Sequence, residues 1–394
     1  MAENEIVILS GARTAIGGFG GSLASVAPID LATTVTRAAM ERAGVQPDQI
    51  GTVVFGHVIN TEPRDMYLGR VAMLNAGIPD ATPAMNVNRL CGSGAQAIVS
   101  AAQALMLGDA DFAIAGGAES MSRGPYILPS MRHGAKMGDQ SAVDMMVGAL
   151  TCPMGTGHMG ITAENVASEA SVTREDQDAF ALESQNRAAR AIEEGRFKEQ
   201  IVPVEIKTRK GTVTFDTDEH PKATSAEKLA GLRPAFKKDG GSVTAGNASG
   251  INDGAAALVL ARAEAAEAAG LKPKARILGY AVAGVPARVM GNGPIPAVRK
   301  LMEQTGLSIG DFDVIESNEA FAAQALAVGK ELGMDPAKVN PNGGAIALGH
   351  PVGATGAILT VKAMYELDRI DGKKALITMC IGGGQGIAIA IERI

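Results

Sequence analysis

The chain has 394 residues, of which 46% are hydrophobic and 20% are charged, and its formal net charge is −6. A chain of this length and hydrophobic content can bury one large core or two ordinary ones. Its mixed acidic and basic residues argue against nucleic acid or an anionic membrane as the main partner, and no run approaches the roughly 20 apolar residues of a membrane span. The sequence therefore predicts a globular protein that binds neither nucleic acid nor membranes.

The cysteines and the N-terminus bear on the cellular compartment. Cys91, Cys152 and Cys380 are too scattered for a disulfide framework or a CxxC zinc site, which predicts a reducing compartment and no metal centre. The first residues, MAENEIVILSGART, have an acidic start and a short apolar run, and they fit neither a signal peptide nor a transit peptide. We therefore expect a cytoplasmic protein.

The first elements of the chain recur at an offset of 262 residues, which places Gly44 on Gly306. Three pairs of segments align at this offset without a gap: 40–53 with 302–315, 90–105 with 352–367, and 111–115 with 373–377. The first pair is typical of a helix end, a glycine stop and a buried strand. Three aligned blocks predict two similar α/β halves in which strands alternate with helices.

Residues 123–250 separate these halves and differ from them in composition. Residues 251–270, INDGAAALVLARAEAAEAAG, return to a strand followed by a helix and are assigned to the N-terminal half. The sequence therefore predicts three units: residues 1–122 with 251–270, an inserted lobe at 123–250, and residues 271–394.

Two elements are predicted inside the inserted lobe. Thr173 and Asp176 form a capping box at the start of a helix over residues 174–194, and Gly195 supplies its stop. Residues 201–217 alternate like a β-hairpin that turns near Lys210 and Gly211.

Cys91 lies between the segment NVNRL and a helical pattern, so its sulfur is expected near a helix N-terminus. Backbone N–H groups and the helix dipole favour thiolate over thiol at that position. A cysteine is more often a buried apolar residue. The small residues Gly92, Ser93 and Gly94 leave room for a substrate and let backbone N–H groups face it, which favours a nucleophile.

His350 lies in NPNGGAIALGHPVGATG (340–356), the second-half equivalent of the Cys91 loop. Pseudo-symmetric strand-to-helix loops tend to meet at one edge of an α/β sheet system, where ligand sites form. A histidine among glycines can also be a turn residue. Its symmetry with Cys91 favours a role as a base.

Other candidates follow later strands. Cys380 ends the strand ALITMC before IGGGQG and is either a buried structural cysteine or a third catalytic group. Asn318, in ESNEAFAAQA, follows a strand and can serve as a helix cap or in catalysis. His158, in GHMGITAEN, can line a ligand site. No chemical role is predicted for the other histidines, read as surface or loop residues, or for the other cysteine: His57, His133, His220 and Cys152.

Six ordered segments resemble the signature stretches of the thiolases, the acetyl-CoA acetyltransferases. They are NRLCGSG (88–94), GHMGITAEN (157–165), GNASGINDGAAA (246–257), NEAFAAQAL (318–326), GGAIALGHPVGATGA (343–357) and CIGGGQG (380–386). The resemblance covers nearly the whole chain. It implies an α/β thiolase fold, in which two repeated βαβαβαββ halves form a five-layer αβαβα arrangement. It also implies an inserted loop domain that covers coenzyme A, and a homotetramer built as a dimer of dimers.

The matching motifs also imply roles for individual residues. Cys91 would be the acylated nucleophile, His350 its activating base, and Cys380 the acid and base acting on the second acyl group. Asn318 would hold a catalytic water. The backbone N–H groups of Cys91 and Gly382 would form one oxyanion hole, and His350 with that water the other. The resemblance implies no permanently bound cofactor, since coenzyme A and acyl-CoA are substrates.

Coenzyme A contacts are implied by the same matching for His158, Met159, Ser249, Ala320, Phe321, Leu150 and Met290. The loop DEHPKATSAEKL (218–229) departs from the family pattern, because it is one residue shorter than expected and places Lys222 where arginine is common. Lysine meets a phosphate as a point charge and lacks the bidentate fork of arginine.

The implied reaction is the reversible Claisen condensation of acetyl-CoA with acetyl-CoA or a short acyl-CoA, and thiolytic cleavage of 3-ketoacyl-CoA through an acyl-Cys91 intermediate. The segment NTEPRDMYLGRVAMLNAG (60–77) resembles β-ketothiolases that accept acyl chains longer than acetyl, which predicts activity on five-carbon 3-ketoacyl-CoA. The pathway expected is fatty acid or polyhydroxyalkanoate metabolism.

Two alternatives remain. Another condensing enzyme of the superfamily would differ around the second catalytic position, so Cys380 within CIGGG argues against it. A non-catalytic acyl-CoA- or lipid-binding protein of the same fold would have no reason to keep Cys91, His350 and Asn318 together with Cys380. Absence of covalent acylation would reveal such a protein.

Overall fold

The computed structural model describes residues 5–394. The first four residues, which begin the segment expected to be neither a signal peptide nor a transit peptide, lie outside the described part. The strands are β1 (Ile6–Arg13), β2 (Gly17–Gly18), β3 (Thr52–Gly56), β4 (Ala84–Val87), β5 (Phe112–Ser120), β6 (Tyr126–Ile127), β7 (Val143–Asp144), β8 (Thr151–Cys152), β9 (Gly157–His158), β10 (Val204–Thr208), β11 (Gly211–Phe215), β12 (Asn252–Arg262), β13 (Ala275–Gly284), β14 (Val314–Ser317), β15 (Lys374–Ile381) and β16 (Gln385–Arg393). The helices are α1 (Pro28–Ala43), α2 (Leu68–Asn75), α3 (Ser93–Met106), α4 (Met145–Ala149), α5 (Met159–Ala170), α6 (Arg174–Glu193), α7 (Ala226–Ala230), α8 (Ala263–Ala268), α9 (Pro294–Thr305), α10 (Ala322–Leu332), α11 (Ala345–Leu348) and α12 (Thr355–Ile370). Among residues 5–394, no helix is both long enough and apolar enough to cross a membrane.

The main sheet contains the same four-strand pattern twice. Its order is β14-β15-β16-β13-β1-β12-β5-β3-β4, and β2 pairs with β12 beside this path. In both β1-β12-β5-β3 and β13-β16-β15-β14, the first two pairings are antiparallel and the last is parallel. The two patterns join where β1 runs antiparallel to β13. A strand from after the inserted lobe, β12, therefore lies at the centre of the N-terminal half.

Helices α3 and α12 form the middle layer between the two half-sheets. Helix α3 packs on β3 and β5, and α12 packs on both β12 and β15 as well as on α3. Helices α1 and α9 cover the outer faces of the two halves. The central helices approach closely because glycine lies at their contact: a methyl group placed on Gly356 would lie 2.2 Å from the backbone nitrogen of Ala95.

The predicted internal repeat is confirmed by the element boundaries. Helices α3 and α12 begin at residues 93 and 355, and strands β5 and β15 begin at 112 and 374, so each pair is 262 residues apart. Gly44 and Gly306 follow α1 and α9 in the left-handed conformation, with φ of 69° and 71°. Strands β1 and β13 even share a register irregularity, which lies just after Ile8 in one and Ile277 in the other.

The elements expected inside the inserted lobe are also confirmed. Helix α6 begins at the reciprocal capping box of Thr173 and Asp176, and Gly195 has a φ of 71° just after its end. Strands β10 and β11 form the hairpin, and Thr208 pairs with Gly211 across the turn. The division into residues 1–122 with 251–270, an inserted lobe at 123–250, and residues 271–394 stays a proposal.

Candidate active site

The Cys91 loop runs from the end of β4 into α3 and is held in a strained conformation. Cys91 immediately precedes Gly92, the N-cap of α3. Leu90 has a φ of 47°, a region that residues with a side chain rarely occupy. The Ser93 hydroxyl accepts a hydrogen bond from the Arg89 backbone nitrogen at 2.9 Å and donates to the Leu90 carbonyl at 2.7 Å. The loop is therefore fixed locally before any substrate binds.

Burial controls the protonation of Cys91. It raises the pKa of the thiol and outweighs the hydrogen bonds from the backbone N–H groups of Gly382 and of Cys91 itself, which lower the pKa. The carboxylate of Glu119 adds a smaller effect that also raises it. The backbone donors at the helix N-terminus favour the thiolate, but desolvation of the sulfur anion costs more than they return, so the resting group is the thiol. A base is needed to activate the thiol.

The His350 loop precedes α12 and is held by the other half of the molecule. Gly349 has a φ of 107°, which a residue with a side chain would rarely adopt. The backbone nitrogen of His350 donates to Asn252 Oδ1 at 2.9 Å, and Asn252 Nδ2 donates to the Gly17 carbonyl at 2.9 Å. A buried side chain of β12 thus positions the imidazole that the C-terminal half supplies.

The tautomer of His350 follows from its hydrogen bonds. Its Nδ1 lies 2.6 Å from Thr355 Oγ1, and the Thr355 hydroxyl donates its own proton to the Pro351 carbonyl at 2.9 Å. Nδ1 is therefore the donor, which leaves the Nε2 lone pair facing Asn318 Nδ2 at 3.4 Å. Burial lowers the pKa of His350 to about 4. The imidazole is neutral at physiological pH and can accept a proton at Nε2.

Asn318 and Cys380 lie at the carboxyl ends of the neighbouring strands β14 and β15. The backbone nitrogen of Asn318 donates to the Thr378 carbonyl at 3.0 Å. Its side-chain Oδ1 is buried and has no hydrogen-bond partner within residues 5–394. Cys380 is fully buried, and its pKa is raised first by burial and second by the charge of Cys91. Cys380 is therefore a thiol at rest, and the Cys91 sulfur is close enough to contribute to the raised pKa of Cys380.

Packing connects the loops that carry these groups. A methyl group on Gly92 would lie 2.5 Å from Ile381 Cδ1, so the Cys91 loop contacts the end of β15. Cys91 also packs in an apolar cluster that includes Val352, two residues after His350. The structure therefore brings Cys91, Gly382 and Cys380 together and places the His350 loop against them.

Most of the residues expected to contact coenzyme A surround Cys380. Met159, Met290, Ala320 and Phe321 pack with Cys380 in one buried cluster. The backbone nitrogen of Ser249 donates to the Ala320 carbonyl at 3.0 Å, which joins two of the predicted segments. Leu150 packs with Cys91 instead.

His158 and Lys222 differ in their surroundings. The ring of His158 stacks on Phe236 with centroids 4.7 Å apart, and its Nδ1 accepts from the Gly160 nitrogen at the start of α5. Burial lowers the pKa of His158. Lys222 is exposed, and its backbone nitrogen donates to Gln185 Oε1 at 2.9 Å. Lys222 therefore lies outside the cluster around Cys380.

Several polar residues of the site were not identified from the sequence. His57 was expected to be a surface or loop residue; it lies in the loop after β3, but it is 4% exposed and its Nδ1 lies 2.8 Å from the Ala118 carbonyl. Glu119 is fully buried beside it. A carboxyl at the end of the apolar run FAIAGGAE was the available signal, since buried charges are uncommon without partners. Cys152, assigned no role, packs in the cluster of Cys380.

Comparisons with known proteins agree with this geometry. Residues 6–264 match the family model described as thiolase, N-terminal domain, and residues 271–393 match thiolase, C-terminal domain. The β-ketothiolase BktB of Cupriavidus necator is 61% identical over 391 residues, which cover 99% of each chain. The acetyl-CoA acetyltransferase of Escherichia coli K12 is 52% identical over 98% of this chain and 99% of its own.

Solved structures extend the agreement to three dimensions. The crystal structure of the Bacillus anthracis acetyl-CoA acetyltransferase has a TM-score of 0.97 and 48% identity, and the match covers 99% of both chains. That of human mitochondrial 3-ketoacyl-CoA thiolase in complex with CoA has a TM-score of 0.96 and 42% identity, over 100% of this chain and 99% of the other. The predicted α/β thiolase fold is confirmed. The chain belongs to the thiolase family.

Proposed function

We propose that this thiolase-family acyltransferase is a β-ketothiolase that condenses acetyl-CoA with acetyl-CoA or a short acyl-CoA and cleaves 3-ketoacyl-CoA with coenzyme A. One observation carries the proposal: the backbone N–H groups of Gly382 and Cys91 both donate toward the Cys91 sulfur. An acyl group on that sulfur would bring its carbonyl oxygen within reach of the same donors. Such donors stabilise the oxyanion of acyl transfer.

In the first half-reaction, Cys91 takes the acyl group from acyl-CoA. His350 Nε2 accepts the thiol proton as the sulfur attacks the thioester carbonyl, and the N–H groups of Cys91 and Gly382 stabilise the tetrahedral oxyanion. The departing coenzyme A thiolate takes a proton from Cys380, which burial keeps as a thiol. One thioester replaces another, so the step is nearly balanced and reversible.

In the second half-reaction, the Cys380 thiolate removes the α-proton of the second acyl-CoA. The resulting carbanion attacks the acyl carbonyl on Cys91, which releases the Cys91 sulfur and forms the new carbon–carbon bond. The imidazolium of His350 returns its proton to that sulfur. Asn318, whose Oδ1 has no protein partner in residues 5–394, holds a water that stabilises the enolate together with His350.

The coenzyme A arm of the substrate is proposed to pass the apolar cluster around Cys380. Met159, Met290, Ala320 and Phe321 belong to that cluster, and His158 and Ser249 lie next to it through Phe236 and Ala320; Leu150 lies beside Cys91. Lys222 is proposed for a phosphate at the nucleotide end, because it is exposed and cationic. The relative solved in complex with CoA supports coenzyme A as the substrate class.

Covalent trapping tests the assignment of the three groups. After exposure to acetyl-CoA, mass spectrometry is expected to find an acetyl group on Cys91. A Cys380→Ser variant should still acquire it, because the departing coenzyme A thiolate can take its proton from water when the Cys380 thiol is absent, but it should form no acetoacetyl-CoA. An acetyl group on Cys152, or none on the protein, would contradict the proposal.

Acyl chains longer than acetyl are proposed because methionines surround Cys91. Met121 belongs to the cluster in which Cys91 packs, and Met145 and Met146 of α4 border it. Their flexible thioethers can repack around acyl groups of different length. Cleavage rates for acetoacetyl-, 3-ketovaleryl- and 3-ketohexanoyl-CoA test this, and failure to cleave 3-ketovaleryl-CoA would contradict it.

A homotetramer in the cytoplasm is proposed as the working form, serving fatty acid or polyhydroxyalkanoate metabolism. Large apolar side chains are exposed in several places, among them the first part of the inserted lobe and the edge strand β4: Tyr126, Ile127, Leu128, Met131 and Met85. Exposed apolar patches and open sheet edges are typical of subunit contacts. A reducing compartment keeps the Cys91 and Cys380 thiols available. Light scattering after gel filtration tests the assembly, and a monomeric mass would contradict it.

A further inference from the structure

A buried carboxylate ties the two halves together behind the catalytic groups. Glu119, near the end of β5, is fully buried. Its Oε1 accepts from the Ile59 nitrogen at 3.1 Å, and its Oε2 accepts from the nitrogens of Val58 at 3.1 Å and Gly353 at 2.9 Å. Val58 and Ile59 belong to the N-terminal half, and Gly353 to the loop that carries His350. One side chain therefore holds backbone from both halves.

The place where these backbones meet is next to Cys91. A methyl group on Gly56, at the end of β3, would lie 2.5 Å from the Ser93 carbonyl carbon and 2.7 Å from the Gly353 carbonyl oxygen. The start of α3 and the His350 loop thus press against the same strand end. Glu119 holds Gly353 from the neighbouring strand. The Gly353 nitrogen lies three residues after His350 and two before Thr355, the hydroxyl that sets the imidazole tautomer.

We infer that Glu119 is a positioning residue of the reaction, whose carboxylate fixes the His350 loop at its working distance from Cys91. This inference rests on the proposed function, because it assigns Glu119 a part in setting the geometry of that pair. A displacement of about 1 Å between reacting groups can reduce turnover by roughly 100-fold. Glu119 contacts no substrate in this account and acts through the two loops.

The chemistry of the three bonds requires a carboxylate. Three N–H donors converge on two oxygens, and an ionised carboxyl can accept all of them because it carries no donor of its own. A glutamine would turn an NH2 group toward at least one N–H. The pKa of Glu119 is raised by burial, and His57 and the three backbone N–H groups oppose this.

Other titratable groups surround Glu119. His57 Nδ1 lies 3.4 Å from Glu119 Oε1, and His57 Nε2 lies 3.9 Å from Asp65 Oδ2. Asp253 of β12 pairs with Ser120, the residue after Glu119. The charge of Glu119 also raises the pKa of the Cys91 thiol. Glu119 therefore has two effects: it holds the His350 loop through hydrogen bonds, and its negative charge acts on the Cys91 thiol.

The decisive variant is Glu119→Gln, since it removes the charge and keeps the size of the side chain. The kcat for thiolysis of acetoacetyl-CoA should fall by roughly 100-fold, with little change in the KM for coenzyme A, because the His350 loop shifts. Alkylation of Cys91 by iodoacetamide at pH 7 should change less than kcat, because weaker assistance from His350 slows it while removal of the negative charge lowers the pKa of the thiol. A variant that was merely damaged would also lose coenzyme A binding, and its KM for coenzyme A would rise.

Two further variants complete the test. Asp313→Asn is the matched control, because Asp313 also accepts two backbone N–H groups, those of Lys373 and Lys374, at the opposite end of β14. It should leave both kcat and alkylation unchanged. Gly353→Ala serves if Glu119→Gln does not fold, since its methyl group would lie 2.4 Å from Glu119 Oε2. It keeps the charge, so kcat should fall and alkylation should slow, because the His350 loop moves while the Glu119 charge still raises the pKa of the thiol.

The outcomes are distinguishable from a failure of the proposed function. If the unchanged protein cleaves acetoacetyl-CoA and Glu119→Gln or Gly353→Ala retains its kcat, the positioning role is overturned. It is also overturned if Glu119→Gln lowers turnover and raises the KM for coenzyme A to a similar extent, since that pattern indicates general damage. A folded, unchanged protein without thiolysis would count against the proposed function itself.

Discussion

The Cys91 loop and the His350 loop occupy equivalent places in the two halves but achieve their geometry differently. Each precedes a helix of the middle layer, and those helices begin 262 residues apart. The first loop stores strain at Leu90 and receives a hydrogen bond from Gly382 of the other half. The second turns at Gly349 and is held by Asn252 of the other half. The internal repeat determines where each loop lies, and a residue of the opposite half holds each loop in its conformation.

Removal of the Cys91 thiol should have the largest effect on turnover. Cys91→Ala should reduce thiolysis of acetoacetyl-CoA by at least about 10⁴-fold, because no other group can carry the acyl intermediate. Initial rates with purified protein measure the effect. Cys152→Ala, which removes the cysteine without a proposed role, is the control and should retain turnover. Substantial activity in Cys91→Ala would mean that another residue is the nucleophile.

Removal of the imidazole tests the opposite loop. His350→Gln should lower the rate of Cys91 acylation by about 10²–10⁴-fold, the usual contribution of a general base, because burial keeps Cys91 protonated. Quenching the reaction at timed intervals, followed by mass spectrometry, measures acylation separately from carbon–carbon bond formation. Acylation at the unchanged rate would exclude His350 as the base.

The buried imidazole also has a cost in acid, which the thiol of the first loop does not share. The pKa of His350 is about 4 in the folded protein and 6.5 in the unperturbed group. Between pH 4 and pH 6.5, His350 is therefore protonated in the unfolded chain and neutral in the folded chain. The free energy of unfolding should therefore fall as pH decreases from 6.5 to 4, by on the order of 3 kcal/mol from this residue. Urea unfolding of the unchanged protein and His350→Asn at both pH values measures it. An equal pH dependence in the two proteins would contradict the shift.

Removal of the Thr355 hydroxyl, which fixes the tautomer of His350, should have a smaller effect on turnover. Thr355→Val should lower kcat by about tenfold, because the Nδ1 proton of His350 loses its acceptor and the imidazole can adopt the unproductive tautomer. Thr360→Val is a matched control on the same helix, since the Thr360 hydroxyl donates only to the Gly356 carbonyl at 2.8 Å. A similar loss in both variants would show that helix packing, rather than the tautomer, was disturbed.

Much of the architecture was predictable because it depends on local sequence patterns that recur along the chain. The glycine stops at Gly44 and Gly306, the capping box at Thr173 and the hairpin each depend on a few adjacent residues, and the structure has them where expected. Their recurrence at one offset allowed the two halves to be recognised before any contact was known.

The electrostatics of the site were not predictable in the same way. Desolvation of Cys91 depends on residues from distant parts of the chain, among them Glu119 and Gly382, and no local pattern reports how deeply they enclose the sulfur. The burial of His57 was not predictable for the same reason, since it follows from the packing of β5 against the loop after β3 in which His57 lies. Patterns of adjacent residues predict where a group stands, but solvation is decided by the whole fold.

The central position of β1 has a consequence for biosynthesis. Both of its neighbours, β12 and β13, are encoded more than 240 residues later, so β1 leaves the ribosome long before either is available. Structures dominated by such distant pairings fold slowly and expose unpaired edges meanwhile. The N-terminal half therefore cannot close its sheet until the inserted lobe and then β12 have left the ribosome.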